Sequence, residues 1–163
     1  MITQSILQYF LNYDASTGVF VWRNKPNRRI TVGGIASCQK RDGHYLVIGL
    51  KGKSHLAHRL AWLYEYNEMP DCEIDHINGN KQDNRISNLR TCSSSENKCN
   101  RPMSAKNTSG FKGVSFCKRE NKFRAYIKKD KKYISLGYFN NAEDAYSAYC
   151  AAASCMHGEY AHM

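Results

Sequence analysis

No Cys-x-x-Cys pair occurs in this chain, and its seven cysteines (Cys38, Cys72, Cys92, Cys99, Cys117, Cys150 and Cys155) are an odd number. Both a disulfide framework and a zinc ribbon are therefore disfavoured. Cys150, Cys155 and His157 come nearest to a metal cluster, but a fourth ligand is missing, and Cys in an Ala-rich helix is more often a small buried residue. Long apolar runs are absent as well: none approaches the roughly twenty residues of a membrane-spanning helix. The opening MITQSILQYFLNYD has no basic leader, and Gln8, Asn12 and Asp14 interrupt its apolar residues, so no signal peptide is expected. A cytoplasmic protein without a membrane partner is the expectation. Acid is scarce, with 14 Asp and Glu against 24 Lys and Arg, which gives a formal charge of +10 and a pI near 9.3. Such an excess of base is the electrostatic footprint of a nucleic-acid partner. With 42% hydrophobic residues in 163, the chain can fold around one ordinary core or two small ones.

What is present is concentrated in residues 74–100, IDHINGNKQDNRISNLRTCSSSENKCN. The pattern is that of strand, polar loop, strand and helix. Asp75 and His76 end the first strand, and Ser93 with Glu96 forms an S-x-x-E capping box that puts Asn97 in the first turns of the helix. Asp75 and Asn97 are then expected to face each other. A carboxylate and a carboxamide offer two hard oxygens, suited to a divalent ion that keeps water and takes phosphate oxygens as its other ligands. Magnesium or manganese is expected rather than zinc. His76, next to the ligand, titrates in the range that lets it take a proton from water near neutral pH. The plainer reading of DHINGNKQDN is a solvated hairpin loop, since Asp, Asn and Gly are ordinary turn residues. That reading suits Asn78, Asn80 and Asp83; it does not explain Asp75, His76 and Asn97 together.

Asp75, His76, Gly79, Asn80, Asp83, Asn84, Arg85, Asn88, Leu89, Arg90, Glu96 and Asn97 resemble the signature of the HNH, or ββα-metal, nucleases, most closely the free-standing phage and intron-type homing endonucleases. His58-Arg59-Leu60 upstream extends the resemblance. It implies His76 as general base, Asp75 and Asn97 as metal ligands, and Asn88 as the residue that braces the hairpin. Asn97 stands where other branches of the superfamily have His.

Around this segment, Ser5 to Tyr13 has a helix-like apolar cluster, Asp14 to Gly18 a turn, and Val19 to Trp22 a strand. His44 to Lys53 alternates as a hairpin, and Ala57, Leu60, Ala61, Leu63 and Tyr64 fit a helix from about His55 to Asn67, closed by Pro70. His58 on that helix is expected to be a hydrogen-bonded packing residue. Asn100 to Gly110, short of apolar residues, is the expected linker.

From Phe111 the chain becomes strongly basic, in three short runs parted by polar turns at Lys118 to Lys122 and Lys129 to Lys132. A three-stranded antiparallel sheet follows from that pattern, with Asn141 capping an Ala-rich helix that lies on it. The other face would carry Lys112, Arg124, Lys128 and Tyr133 toward DNA. Phe111 to Val114, Lys122-Phe123, Ile127, Leu136-Gly137, Phe139, Ala142-Glu143, Ala145, Tyr149, Ala151 and Ala152 resemble the DNA-binding domain of the plant APETALA and ethylene-response-factor proteins, which is also found fused to phage HNH nucleases. By position the resemblance adds Ser115, Cys117 and Tyr126 to the groove-facing set. The plant domains carry Arg where Ser115 and Cys117 stand, and Trp near Ser135, so base specificity does not carry over.

The expected protein is α+β. A β-rich region at 1–54 precedes a ββα-metal core at 55–100, a linker at 101–110, and a three-stranded sheet packed on one helix at 111–163. The expected activity is hydrolysis of double-stranded DNA by a monomer that nicks one strand, with Mg2+ or Mn2+ as cofactor and Arg85 or Arg90 holding a flanking phosphate. A non-catalytic DNA-binding regulator, with the motif kept as scaffold, is the alternative.

Overall fold

A computed structural model describes residues 2–39, 44–100, 103, 107–129 and 132–160. Residues 101, 102 and 104–106 of the expected linker, and 130 and 131 of the second polar turn, lie outside them. The chain forms two compact units, Met1–Cys92 and Ser93–Met163.

The first unit opens with α1 (Gln4–Phe10), whose N-terminus is capped by the Thr3 hydroxyl. The helix ends three residues before the sequence pattern does, because Leu11–Asp14 pairs as β1 with β2 (Val19–Trp22) in antiparallel register. That pairing is a contact between segments, which local periodicity does not register. A second sheet runs β3 (Cys38–Gln39), β4 (Leu46–Leu50), β5 (Lys53–Leu56) in that order. The chain then enters α2 (Ala57–Tyr66) and leaves it through Asn67, which takes the left-handed conformation at φ 56° and donates its N–H to the Leu63 carbonyl. Next come β6 (Glu73–His76), a short 3-10 turn at Ile86–Asn88, and β7 (Leu89–Cys92), which pairs back on β6.

One hydrophobic cluster joins these parts. Leu7, Leu11, Phe20 and Trp22 pack with Ile48 and Leu50, with Leu60, Ala61 and Leu63 of α2, and with Ile74 and Leu89 of the β6–β7 pair. Each fully buried aliphatic side chain here contributes about 1.5–3 kcal/mol. The N-terminal hairpins are thus part of the core on which β6 and β7 rest.

The second unit begins with α3 (Ser94–Cys99), and the capping box expected at its start is complete: Ser93 Oγ accepts from the Glu96 N–H, and Glu96 Oε2 accepts from the Ser93 N–H. Strands β8 (Val114–Cys117), β9 (Lys122–Lys129) and β10 (Lys132–Phe139) form an antiparallel sheet with β9 in the centre. Helix α4 (Ala142–His157), capped by the Asn141 side chain, covers one face through Ala145, Tyr149 and Ala153. The α+β class and the sheet-on-helix arrangement are those expected. No helix among the described residues is long and apolar enough to cross a membrane.

Candidate functional site

Residues 73–92 form a hairpin around a twelve-residue polar excursion, and Asn88 ties that excursion together. Its Oδ1 accepts the Asn78 N–H at 3.0 Å, and its Nδ2 donates to Asn78 Oδ1 at 3.0 Å and to the Asp83 carbonyl at 2.8 Å. Its own backbone carbonyl accepts the Ile77 N–H. One buried carboxamide therefore spans both arms of the loop. Asp83 in turn holds the Arg85 guanidinium at 2.8 and 2.6 Å and accepts from Asn78 Nδ2. The Arg85 fork keeps the Asp83 carboxyl down at about 2.

Asp75 and Arg90 are cross-strand partners on β6 and β7. Arg90 donates through Nε at 3.2 Å and Nη2 at 3.0 Å to Asp75 Oδ2, and the two side chains are 8% and 12% exposed, Asp75 first. A buried carboxylate is thereby matched by a buried guanidinium, which is how such charges persist inside a protein.

His76 is also buried, at 4% exposure. Its Nε2 lies 3.1 Å from Asn84 Oδ1. Burial pulls its pKa below the ordinary histidine value, opposed by the Asn84 hydrogen bond and by the carboxylates of Asp75 and Asp83. The ring of His58, from α2, meets His76 edge to face with centroids 5.1 Å apart, and Tyr45 lies 5.4 Å from His58 and 6.2 Å from His76. Lys81 sits 4.9 Å over the Tyr45 ring. Burial, then the neighbouring His76 and Arg59, push His58 down to about 3, so it stays neutral at physiological pH. The expected packing role of His58 thus has a definite object, the ring of His76.

Asn97 belongs to α3 in the second unit, whereas Asp75 and His76 belong to the first. Among the described residues no group of three or more His, Cys, Asp or Glu is placed to hold a metal ion. Asp75 and Asn97 are nonetheless the donor types a hard divalent ion takes, since it draws most of its shell from water and phosphate.

On the second unit, Phe123, Ala125 and Ile127 of β9 turn toward α4, which leaves Arg124, Tyr126 and Lys128 on the opposite face. The register sets Ser115 and Tyr138 beside Arg124, Ser135 beside Tyr126, and Tyr133 beside Lys128. Lys128 Nζ lies 5.0 Å over the Tyr133 ring, and Arg124 5.9 Å over Tyr126. Arg124 Nε is buried and has no hydrogen-bond partner among the described residues. Cys117 pairs with Lys122 at the end of β8, and Lys112 precedes that strand.

Two residues had no role assigned from the sequence. Asn84, 1% exposed and bonded to His76, stands in the polar run Asn78 to Arg85, where residue type alone does not set it apart from its neighbours. Tyr138 reaches the Arg124 face because a bulge between Ser135 and Gly137 shifts the register. The Leu136-Gly137 pair is the signal that could have exposed it.

Two family comparisons match the chain. Residues 55–99 match the HNH endonuclease family, and residues 109–159 match the AP2 domain. None of the curated proteins and none of the solved structures compared with the chain matches it.

Proposed function

From a chain that carries an HNH endonuclease domain followed by an AP2 DNA-binding domain, we propose a metal-dependent enzyme that hydrolyses one strand of double-stranded DNA. The observation that carries this reading is the buried His76, hydrogen-bonded at Nε2 and adjacent in sequence to the Arg-paired Asp75. Burial holds the His76 pKa below the ordinary histidine value, so the ring is neutral at pH 7, the form that can take a proton from water.

In this proposal His76 removes the proton of the attacking water, and Asn88 keeps the loop that carries the site in one conformation. Asp75 and Asn97 would hold Mg2+ or Mn2+, on donor chemistry. A bound divalent ion would supply positive charge to the scissile phosphate and to the leaving 3′ oxygen. Arg90 holds Asp75 aligned through its two hydrogen bonds. Arg85 is our choice for a flanking phosphate, because its side chain is 48% exposed against 12% for Arg90. Lys112, Arg124, Tyr126, Lys128 and Tyr133, with Tyr138 added, form the DNA-contacting set of the AP2 sheet. Stacked Lys and Tyr side chains there offer both charge for phosphates and flat apolar surface.

A second reading has its own support. The Asp75–Arg90 pair gives the carboxylate a structural task that needs no metal, as a non-catalytic DNA-binding regulator would require. Supercoiled plasmid, incubated with and without Mg2+, separates the two. The enzyme reading expects cleavage that needs the ion and falls about 10²–10⁴-fold in His76→Ala, the usual contribution of a general base. DNA affinity should stay within a few-fold. Absence of any Mg2+- or Mn2+-dependent cleavage by the intact chain favours the regulator.

A further inference from the structure

We infer that the loop from Arg23 to Arg29 is a further DNA-contacting surface, on the unit that carries His76, and that Arg23, Lys25, Arg28 and Arg29 take phosphates of the duplex backbone. The inference rests on the DNA-acting part of the proposed function and not on cleavage.

The four cations stand within seven residues, and no Asp or Glu occurs between Asp14 and Asp42. All four residues are exposed, and among the described residues none is paired with a carboxylate; Arg23 alone makes a side-chain hydrogen bond, from Nη1 to the Gln8 carbonyl at 3.4 Å. The loop is nevertheless fixed at both ends. At its start the Arg23 and Asn24 N–H groups donate to the Phe10 carbonyl at 2.8 and 3.2 Å, and Asn24 Nδ2 donates to the Tyr9 carbonyl. Past its end, the Gly33 N–H donates to the Trp22 carbonyl at 2.7 Å and the Trp22 N–H to the Gly34 carbonyl at 2.9 Å, while Ile30 packs on the core. Between them Asn27 Oδ1 accepts the Arg29 N–H at 3.0 Å. Holding like charges together in an ordered loop costs stability through self-repulsion. A polyanion relieves that cost and meets cations that are already positioned. Three of the four are Arg, whose planar fork matches phosphate oxygens. Tyr9, 61% exposed and joined to the loop through Asn24, adds a flat surface and a hydroxyl of the kind that contacts the sugar-phosphate chain.

The β1–β2 hairpin places this loop relative to the candidate site. At one end of the hairpin the turn packs on residues 84–86: the Tyr13 hydroxyl donates to the Asn84 carbonyl at 2.7 Å, and the Ile86 N–H donates to the Ala15 carbonyl at 3.2 Å. The basic loop leaves from the other end, after Trp22, which pairs with Leu11. Each strand has four residues, so the two ends lie about 13 Å apart at about 3.3 Å per residue, roughly four base pairs of duplex. The loop therefore contributes affinity and register rather than chemistry. In this way the region before the HNH match joins the DNA-contacting surface.

The test is the salt dependence of binding by the full chain, measured without a divalent ion so that no cleavage intervenes. Fluorescence anisotropy of a labelled random-sequence duplex gives Kd across a series of KCl concentrations. In Arg23→Gln/Lys25→Gln/Arg28→Gln/Arg29→Gln the affinity should fall, and the slope of log affinity against log salt should flatten by about 0.9 for each phosphate no longer neutralised. Arg23→Lys/Arg28→Lys/Arg29→Lys keeps the charge and should keep the slope. Lys51→Gln/Lys53→Gln, at the exposed tip of the β4–β5 hairpin, controls for net charge and should flatten the slope less, charge for charge. With Mg2+ present, the glutamine loop variant should raise KM for plasmid nicking and leave kcat within about twofold of the parent. An unchanged slope in that variant overturns the proposal, whatever other anion the loop binds. So does a slope that Lys51→Gln/Lys53→Gln flattens equally, charge for charge, and so does a loss of kcat at unchanged KM. If the multiple variant does not fold, Arg28→Gln and Arg29→Gln, whose side chains have no hydrogen-bond partner among the described residues, decide by the same slope measurement. Absence of Mg2+-dependent cleavage by the parent is a failure of the nuclease reading alone, and the slope comparison stands without it.

Discussion

Arg85 and Arg90 sit five positions apart, each with its guanidinium on a carboxylate, yet their surroundings make them unequal. Arg90 and Asp75 are both nearly closed to solvent, and removing one partner of such a pair leaves an uncompensated charge, typically at a cost of about 3–5 kcal/mol. Arg85 is 48% exposed, where water screens the pair and about 0–1 kcal/mol is usual. Arg90→Leu should therefore lower the midpoint of urea unfolding far more than Arg85→Leu. Because a divalent cation could stand in for the missing guanidinium, Mg2+ should raise the midpoint of Arg90→Leu more than that of the parent. Equal midpoints for the two leucine variants would show that the Asp75 charge is not buried in solution. At this scale the sequence singled out Asp75 and His76 as candidates through their residue types, a carboxylate offering a hard oxygen and, beside it, an imidazole that ordinarily titrates near neutrality. It did not disclose the Arg90–Asp75 bond or the Asn84–His76 bond, because both depend on strand register and loop path rather than on composition.

Elements were legible in the sequence to the extent that local chemistry determines them. The capping box of α3 and the Asn141 cap of α4 are short-range hydrogen bonds, and both were readable from spacing. The end of α1 was not, since Leu11 to Asp14 leave the helix to pair with β2, and neither was the bulge that carries Tyr138 across to the Arg124 face. The turn between β1 and β2 offers a test of how tightly it packs against residues 84–86. Gly18 has φ +74°, and a Cβ there would meet backbone at 2.4 Å, whereas Gly33 has φ +83° and nothing within 4 Å. Both alanine substitutions incur the left-handed penalty of about 1–2 kcal/mol. Only Gly18→Ala adds overpacking, worth roughly another 1–3 kcal/mol. Chemical denaturation should rank Gly18→Ala clearly below Gly33→Ala, and indistinguishable curves would mean that the turn and residues 84–85 move apart freely.

For the whole molecule, the proposed nuclease reading makes charge and the number of active centres decide what it would do to a duplex. Truncation before Lys106 removes the AP2 sheet with Lys112, Lys118, Arg119, Lys122, Arg124, Lys128, Lys129 and Lys132, and also Lys131, which lies outside the described residues. DNA affinity should fall, and the slope of log affinity against log salt should flatten by about 0.9 for each phosphate that the shortened chain no longer neutralises. An unchanged slope would show that this half does not touch the backbone. The mode of cleavage follows from a similar count. One Asp-His motif occurs in the chain and no second copy, so a monomer brings a single centre to the duplex. Cutting both strands at once would need a second subunit related by symmetry. In that reading the AP2 domain is a second hold on DNA, which would keep the nuclease near its site by raising local concentration and so remove one need for dimerisation. Single-strand nicking is the expected outcome. With limiting enzyme, supercoiled plasmid should pass entirely to open circles before linear DNA accumulates, at a rate first order in protein. Direct conversion to the linear form, second order in protein, would replace the monomer with a symmetric pair acting on opposite strands.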